Sequence, residues 1–304
     1  MKIVLMFKTK YLIMRKIFSL GALLYILMMA YCHKASVSDN NSGPSSIRIK
    51  LAMTVTKATE TAFESGDVVG VYMAYGNLVG SGNYLNNKRF SLSGTTWSAD
   101  EDLYWRDQTT AADFYCYYPY AANVTDATKY VFSVKSDQSS EANYKASDFL
   151  WGKTTGVAPT ESTVLITSAH KMSSLTVTLT PGDGFTADEF ASAQKTVSIT
   201  GVKTSAEINL ASGAVSATGE AGSITPYTGA GDYRALVIPQ TVSASAPFLT
   251  ITVNRVPYNV SEAFTFASGT KHSVTAKVDK TSSGLRIGIE NWTIDGTDYN
   301  FNAK

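Results

Sequence analysis

The side chains that proteins most often use for catalysis and metal binding are few in this sequence and far apart. The three histidines are His33, His170 and His272, and the two cysteines are Cys32 and Cys116. A metal site or a Ser/His/Asp site brings several such groups together, and these spacings argue for neither. No glycine-rich phosphate loop stands between a strand and a helix. We therefore predict that the protein is not an enzyme, with no catalytic residue, no metal and no cofactor.

For three further candidate functional groups, the sequence favours a structural role. The segment Asp295–Asn300 faintly resembles a calcium loop but lacks the further acidic positions and the closing glutamate, so it predicts a turn. Cys116 lies among aromatic residues in "DFYCYYPY", which favours a buried apolar role over a reactive thiol. His170 is predicted to bond a backbone carbonyl.

The charge pattern excludes nucleic acid as a partner. The chain of 304 residues has a formal net charge of +1, but residues 1–31 contain five basic residues and no acidic one. The rest of the chain carries 21 basic and 25 acidic residues, a balance of −4. Such a mildly acidic surface has no basic stripe that could neutralise phosphates.

The N-terminus has the features of an export signal. Arg15 and Lys16 form a short basic region, and Ile17 to Ala30 is an apolar run that is short for a membrane span. We predict that residues 1–31 are a signal peptide, with Met14 as an alternative start.

Cys32 follows directly and resembles the cysteine of a bacterial lipoprotein signal, which becomes lipidated and anchors the mature chain to the outer membrane. Tyr31 departs from the small residue usual before that cysteine, and an ordinary signal peptide is the alternative. Residues 32–45 are polar and rich in Gly, Pro and Ser, which predicts a flexible linker.

From Ile47 onward, short β-branched and aromatic runs alternate with turn residues. The predicted strands are Ile47–Thr56, Val68–Tyr75, Asp113–Tyr118, Tyr130–Val134, Val164–Thr167, Leu175–Thr180, Lys195–Thr200, Ala235–Ile238, Leu249–Val253, Ser273–Val278 and Leu285–Ile294. "GNLVGSGN", "TPGDGF" and "ATGEAGS" predict turns or loops. Thr186–Gln194 is the one helix-like piece, and we expect a loop turn there.

This pattern predicts an all-β fold with two tandem antiparallel β-sandwich domains. We place an N-terminal sandwich at residues 46–168 and a C-terminal sandwich at residues 169–304, with the boundary near His170, because the length after the linker is large for one small sandwich.

The first predicted strand has one apolar face. Successive side chains of a strand point to opposite sides, so every second residue shares a face. The apolar set is Ile47, Ile49, Leu51, Met53 and Val55.

Six motifs in order resemble the fimbrillin proteins of Bacteroidales, the subunits of their surface pili. They are "FESGDVVGVYM", "WSADEDLYWRDQTTAADFYCYYPY", "SDFLWGKTTGV", "HKMSSLTVTL", "LVIPQT" and "IENW". The resemblance covers nearly the whole exported chain. In "YWRDQ" an arginine stands where such chains often have proline, which affects a turn.

The resemblance implies an assembly mechanism and a location. In major pilins of this family, a lipoprotein precursor is cut by a trypsin-like protease after a basic residue beyond the first strand. The vacated groove then accepts a strand from another subunit. The implied partners are other fimbrial subunits, in a homo- or hetero-polymer, the processing protease and an unidentified surface ligand. The implied location is the outer membrane or the fimbrium.

Lys57 is the favoured cleavage position, because a cut there frees the whole first strand, whereas a cut after Arg48 or Lys50 leaves most of it. The donor-strand candidate is Leu285–Ile294, with its apolar residues Leu285, Ile287, Ile289, Trp292 and Ile294. The alternative is a permanent first strand, a solvated Lys57 and an ordinary last strand, since accessory subunits can lack one or both devices.

A surface glycan-binding lipoprotein is the alternative function. An aromatic cluster suggests it, because exposed aromatic rings bind sugars. Strand alternation nevertheless places at most half of these rings on one face and favours core packing. The cluster consists of Trp105, Tyr115, Tyr117, Tyr118 and Tyr120.

Overall fold

The fold is given by a computed structural model that describes residues 45–55, 62–229, 231–281 and 284–297. The predicted signal peptide and most of the predicted linker lie outside these ranges. Within them, no helix is long and apolar enough to cross a membrane.

The described residues form mainly strands, as the sequence predicts. The strands are β1 (Leu51–Val55), β2 (Val68–Ala74), β3 (Leu85–Ser93), β4 (Thr96–Ala99), β5 (Ala112–Tyr118), β6 (Tyr130–Ser133), β7 (Leu150–Val157), β8 (Val164–His170), β9 (Ser173–Pro181), β10 (Lys195–Asn209), β11 (Ala214–Ile224), β12 (Tyr227–Gly229), β13 (Asp232–Val237), β14 (Gln240–Val242), β15 (Leu249–Val253), β16 (Val256–Val260), β17 (Phe264–Phe266), β18 (Thr270–Thr281) and β19 (Gly284–Thr297). The helices are α1 (Glu141–Lys145) and α2 (Ala187–Ser192). The prediction of an all-β fold is confirmed.

The strands form three larger sheets and one two-stranded sheet. The first has seven strands in the order β1-β8-β7-β5-β2-β3-β4, in which β1 and β8 are parallel. A second sheet has the order β11-β10-β15-β16, and β6 also pairs with β10. The third has the order β12-β13-β9-β18-β19, and β14 pairs with β17.

Both faces of the seven-stranded sheet are buried, each in a different apolar core. Val71 and Phe114 lie in the smaller core, which also contains side chains of the N-terminal segment. Their neighbours Tyr72 and Tyr115 lie in the larger core, which continues into the second and third sheets. Because side chains alternate along a strand, one sheet serves both cores.

The chain changes sheets between the end of β8 at His170 and the start of β9 at Ser173, beside the predicted domain boundary near His170. β6 comes from the N-terminal half, yet it pairs with β10 of the second sheet, from Tyr130 opposite Ile208 to Ser133 opposite Ser205. The division into two sandwich domains stays a prediction.

Two local expectations are wrong. "ATGEAGS" is part of β11, although its residues are mostly exposed, because the long β10 supplies a ladder of backbone partners. The expected loop turn at Thr186–Gln194 contains α2. The Thr186 side chain accepts a hydrogen bond from the Glu189 N–H and the Glu189 carboxylate accepts one from the Thr186 N–H, a capping box that starts the helix.

Phe149 tests the larger core. Its ring is fully buried and lies 5.0 to 6.1 Å from the rings of Phe132, Tyr130 and Tyr117. We expect Phe149→Ala to lower the free energy of unfolding by about 3–5 kcal/mol in urea titrations, because it leaves a cavity among these rings. Val131→Ala is the control, since Val131 is 68% exposed, and should change it by less than about 0.5 kcal/mol. Equal effects would contradict this description of the core.

Candidate functional site: the N-terminal strand and its groove

The N-terminal segment is bound in two steps. First, it pairs with residues 103–105: the Ile49 N–H donates to the Leu103 carbonyl at 2.8 Å, and the Trp105 N–H donates to the Ile47 carbonyl at 3.0 Å. Then β1 runs parallel to β8, with Leu51 opposite Val164. The segment is therefore fixed by backbone hydrogen bonds to two separate parts of the chain.

The predicted apolar face is the face that the structure buries. Ile49, Leu51 and Met53 are only 4–6% exposed and lie in the smaller core. Ile47 packs at the margin of this core, and Val55, at the end of β1, is partly buried. Burial of one such side chain contributes about 1.5–3 kcal/mol. The apolar face therefore supplies a large part of the binding free energy of the strand.

β1 is the end strand of its sheet. Its ladder partner is β8 on one side. On the other side it approaches β4, the opposite end strand, where the Trp97 indole N–H donates to the Met53 carbonyl at 3.3 Å. A side-chain contact, rather than a second ladder, thus closes the smaller core. A strand in this position can leave without breaking any other pair of strands.

The basic residues near the strand occupy different positions. Arg48 is exposed and forms an ion pair with Asp102, and Lys50 is exposed immediately before β1. Lys57 lies outside the described residues, as does Cys32. Cleavage after Arg48 or Lys50 would leave β1 in the groove, so the structure gives these two positions no advantage over Lys57.

The donor-strand candidate lies in β19, which is also an end strand. β19 pairs antiparallel with β18, and the register shifts between Thr275 and Ala276. Because of this shift, the five apolar positions lie opposite alternate residues of β18. The pairs are Leu285 with Lys280, Ile287 with Val278, Ile289 with Ala276, Trp292 with Val274 and Ile294 with His272.

The other sequence candidates are structural parts of the cores. His170 is buried, and its Nδ1 lies 2.9 Å from a carboxylate oxygen of Asp148, an acidic partner that the sequence did not indicate. His272 is buried with its ring 4.9 Å from that of Phe264. Among the described residues, no group of three His, Cys, Asp or Glu side chains could hold a metal ion.

Cys116 and most of the aromatic cluster are also buried. Burial raises the pKa of the Cys116 thiol to about 12, so the thiol stays protonated at neutral pH. Trp105, Tyr115 and Tyr117 are 1–2% exposed. The preference for core packing over a sugar-binding platform is confirmed for these three rings.

The sequence did not identify the walls of the groove. Residues 103–105 pair with the N-terminal segment outside any named strand, and β8 supplies the parallel partner. A local pattern indicates that a segment is extended, but it does not indicate which distant segment pairs with it.

Comparison with known proteins shows which group the chain belongs to. The profile of a family described as "Fimbrillin-like" matches residues 56–292. A Bacteroides uniformis protein named as fimbrium subunit Fim1C is 26% identical over 299 residues, which cover 92% of this chain and 96% of that protein.

Two crystal structures show the same fold. One is of a protein named as a cell adhesion protein from Bacteroides uniformis, with a TM-score of 0.63 and 23% identity, covering 83% of this chain and 100% of that chain. The other, similarly named, is from Bacteroides ovatus, with a TM-score of 0.59 and 17% identity, covering 83% of this chain and 98% of that chain. At these identities the likeness is one of fold.

The architecture is that of an all-β protein with an N-terminal strand at the end of a sheet. Within that class, the family profile covers more than half of the sequence, and the chain belongs to the fimbrillin-like family. The resemblance carried by the six sequence motifs is confirmed.

Leu51 tests the groove. We expect Leu51→Ala to lower the free energy of unfolding by about 2–5 kcal/mol, because it removes a buried side chain and leaves a cavity in the smaller core. Lys50→Ala, at the exposed neighbouring position, should change it by less than about 0.5 kcal/mol. Urea unfolding of the two variants measures the difference, and a Leu51→Ala effect as small as that of Lys50→Ala would show that the strand contributes little to the core.

Proposed function

We propose that this chain is a structural subunit of a cell-surface fimbrium, exported as a lipoprotein through Cys32 and assembled by exchange of its first strand. Membership of the fimbrillin-like family and the similarity to a protein named as a fimbrium subunit support the coarse function. The position of β1 supports the assembly mechanism.

The observation that carries the mechanism is an apolar strand bound at the end of a sheet. Removal of Ile49, Leu51 and Met53 would forfeit about 5–9 kcal/mol of apolar burial, which is comparable to the whole stability of a typical domain. The emptied groove would also present the unpaired edge of β8. Such a groove needs another strand with an apolar face.

Hydrolysis of the peptide bond between Lys57 and Ala58 would release the first strand. Lys57 lies two residues after the end of β1, so the cut leaves no residue of β1 attached to the remainder of the chain. The released piece would include the lipid-bearing Cys32 and the linker at residues 32–45. A trypsin-like protease fits this bond because the residue before it is basic.

The replacement strand in this proposal is Leu285–Ile294 of another subunit. β19 occupies the end of the third sheet, so it has one ladder partner to give up. Its apolar residues alternate as those of β1 do, and strand addition would restore both backbone hydrogen bonds and apolar burial. A groove and a donor at different places on one subunit give head-to-tail contacts, which can extend without limit.

Lys57→Gln tests the cleavage. We expect the variant, expressed in its native host, to retain its first strand and to show no SDS-resistant ladder on unboiled gels, because no basic residue then remains between the end of β1 and Lys88. N-terminal sequencing of the wild-type protein should give Ala58.

Lys50→Gln is the matched control and should be processed and polymerised as the wild type is. Wild-type protein that starts at Cys32 and runs only as a monomer would refute strand exchange for this chain.

Deletion of residues 285–304 tests the donor. We expect the shortened chain to be cleaved but to form no ladder when it is expressed alone, since its groove is intact and its donor is missing. Expressed with wild-type subunits, it should shorten the ladders, because it can accept a strand and cannot give one. Ladders of normal length from the shortened chain alone would place the donor elsewhere.

A further inference from the structure

A cleft lies beside the end of β2, at the end of the first sheet where β1 begins. Its volume is about 340 Å³, at the small end of the range for small-molecule sites. The walls come from the connection between β2 and β3 and from Arg106. The side chains that matter here are Tyr75, Asn77, Val79 and Tyr84 together with Arg106.

Exposed apolar side chains gather around this cleft. Val79 is 50% exposed, Tyr84 is 41% exposed and the adjacent Tyr104 is 43% exposed. They are three of the six large apolar side chains that are this exposed among residues 45–55, 62–229 and 231–280. A concentration of exposed apolar surface at one concave place marks a binding site more often than scattered exposure does.

The Tyr84 ring is held in its exposed position. Its hydroxyl donates to the Tyr104 carbonyl at 2.9 Å, and its ring meets that of Tyr75 edge to face at 5.3 Å. An aromatic ring fixed in this way loses little conformational entropy when a ligand packs on it. The exposure of Tyr84 is therefore built into the structure.

Arg106 is held as firmly on the other side of the cleft. Its guanidinium carbon lies 3.7 Å from the centre of the Tyr75 ring, and its backbone N–H donates to the Tyr75 hydroxyl at 2.9 Å. Its Nε donates to Asp107 at 3.2 Å. Hydrogen bonds from the Thr109 and Thr110 N–H groups to Asp107 keep the pKa of that carboxyl well below its usual value. The charged pair adds hydrogen-bonding groups and no net charge.

Two asparagines fix the connecting loop. The Asn83 side chain accepts from the Val79 N–H and donates to the Val79 carbonyl, at 3.0 and 2.8 Å. The Asn86 side chain accepts from the Asn83 N–H and donates to the Asn83 carbonyl, at 3.1 and 2.6 Å. These bonds order the loop that carries Asn77 and Val79, so the cleft exists before a ligand arrives.

We propose that this cleft binds one end of a neutral sugar chain, with the C–H face of a pyranose ring packed on Tyr84 and its hydroxyl groups bonded to Asn77 and Arg106. A pyranose has the matching chemistry, since one side of its ring is apolar and its rim is polar. The neutral class follows from the balance of Arg106 by Asp107. The site is complete within one chain, and its lining residues lie outside the first strand.

The test is titration of the purified chain with methyl β-galactopyranoside, methyl β-glucopyranoside and methyl α-mannopyranoside, followed by calorimetry and NMR. We expect saturable binding of at least one of them. Tyr84→Ala should weaken it at least about tenfold, because the ring that packs on the sugar is lost. Tyr84→Phe keeps the ring but loses the hydroxyl bond to the Tyr104 carbonyl, so it should weaken binding less than Tyr84→Ala does.

Two further variants complete the design. Tyr258→Ala, on β16 of the second sheet, removes a partly buried tyrosine elsewhere and should leave sugar binding unchanged. Asn77→Trp should abolish binding, because the larger side chain on an exposed loop fills the cleft. This variant tests the proposal independently if Tyr84→Ala does not fold. Thermal unfolding checks each variant.

Three results would overturn the proposal: no saturable binding of any of the three glycosides, binding that survives both Tyr84→Ala and Asn77→Trp, or tighter binding of N-acetylneuraminic acid than of every neutral sugar. Because the assay uses single subunits, a failure here leaves the assembly mechanism untouched, and a failure of polymerisation leaves this proposal untouched.

Discussion

Burial of both faces of one sheet is the constraint on which this architecture depends. β2 and β5 place Val71 and Phe114 in the smaller core and Tyr72 and Tyr115 in the larger one. The larger core is covered by two further sheets, but the smaller core is completed by a short N-terminal segment. That segment is a structural necessity for the core it covers, and it is joined to its sheet by one ladder. Under the proposed assembly mechanism, a segment that the core requires and that one ladder joins to its sheet is suited to exchange.

The sequence predicted strands in which apolar residues alternate. It missed strands that lack this alternation and form because they pair with a neighbouring strand. The buried face of Ile49, Leu51 and Met53 follows from a period of two, which is local information. β3 and β11 have few apolar residues in alternation and are strands because they pair with β2 and β10. The parallel pairing of β1 with β8 joins residues more than a hundred positions apart, and no local pattern specifies it.

The same difference between local pattern and distant contact applies to the aromatic cluster and to the cleft beside Tyr84. Alternation indicated that Trp105, Tyr115 and Tyr117 belong to a core, because strands of known face position them. Tyr84 stands at the edge of a glycine- and asparagine-rich loop, where no periodicity applies. Its exposure depends on a hydrogen bond to Tyr104, twenty residues away, and on a ring contact with Tyr75. The sequence shows which residue types such a cleft contains, but it does not show that the fold brings them together.

Residues 103–105 connect two features that otherwise lie in different parts of the chain. Leu103 and Trp105 exchange backbone hydrogen bonds with the N-terminal segment, and the carbonyl of Tyr104 between them anchors the Tyr84 hydroxyl. Departure of the segment would free this short stretch and loosen the ring that it holds. By thermodynamic reciprocity, a ligand that rigidifies the ring must also strengthen retention of the segment by the same free energy. Residues 103–105 thus link the surface around Tyr84 to the segment that completes the smaller core.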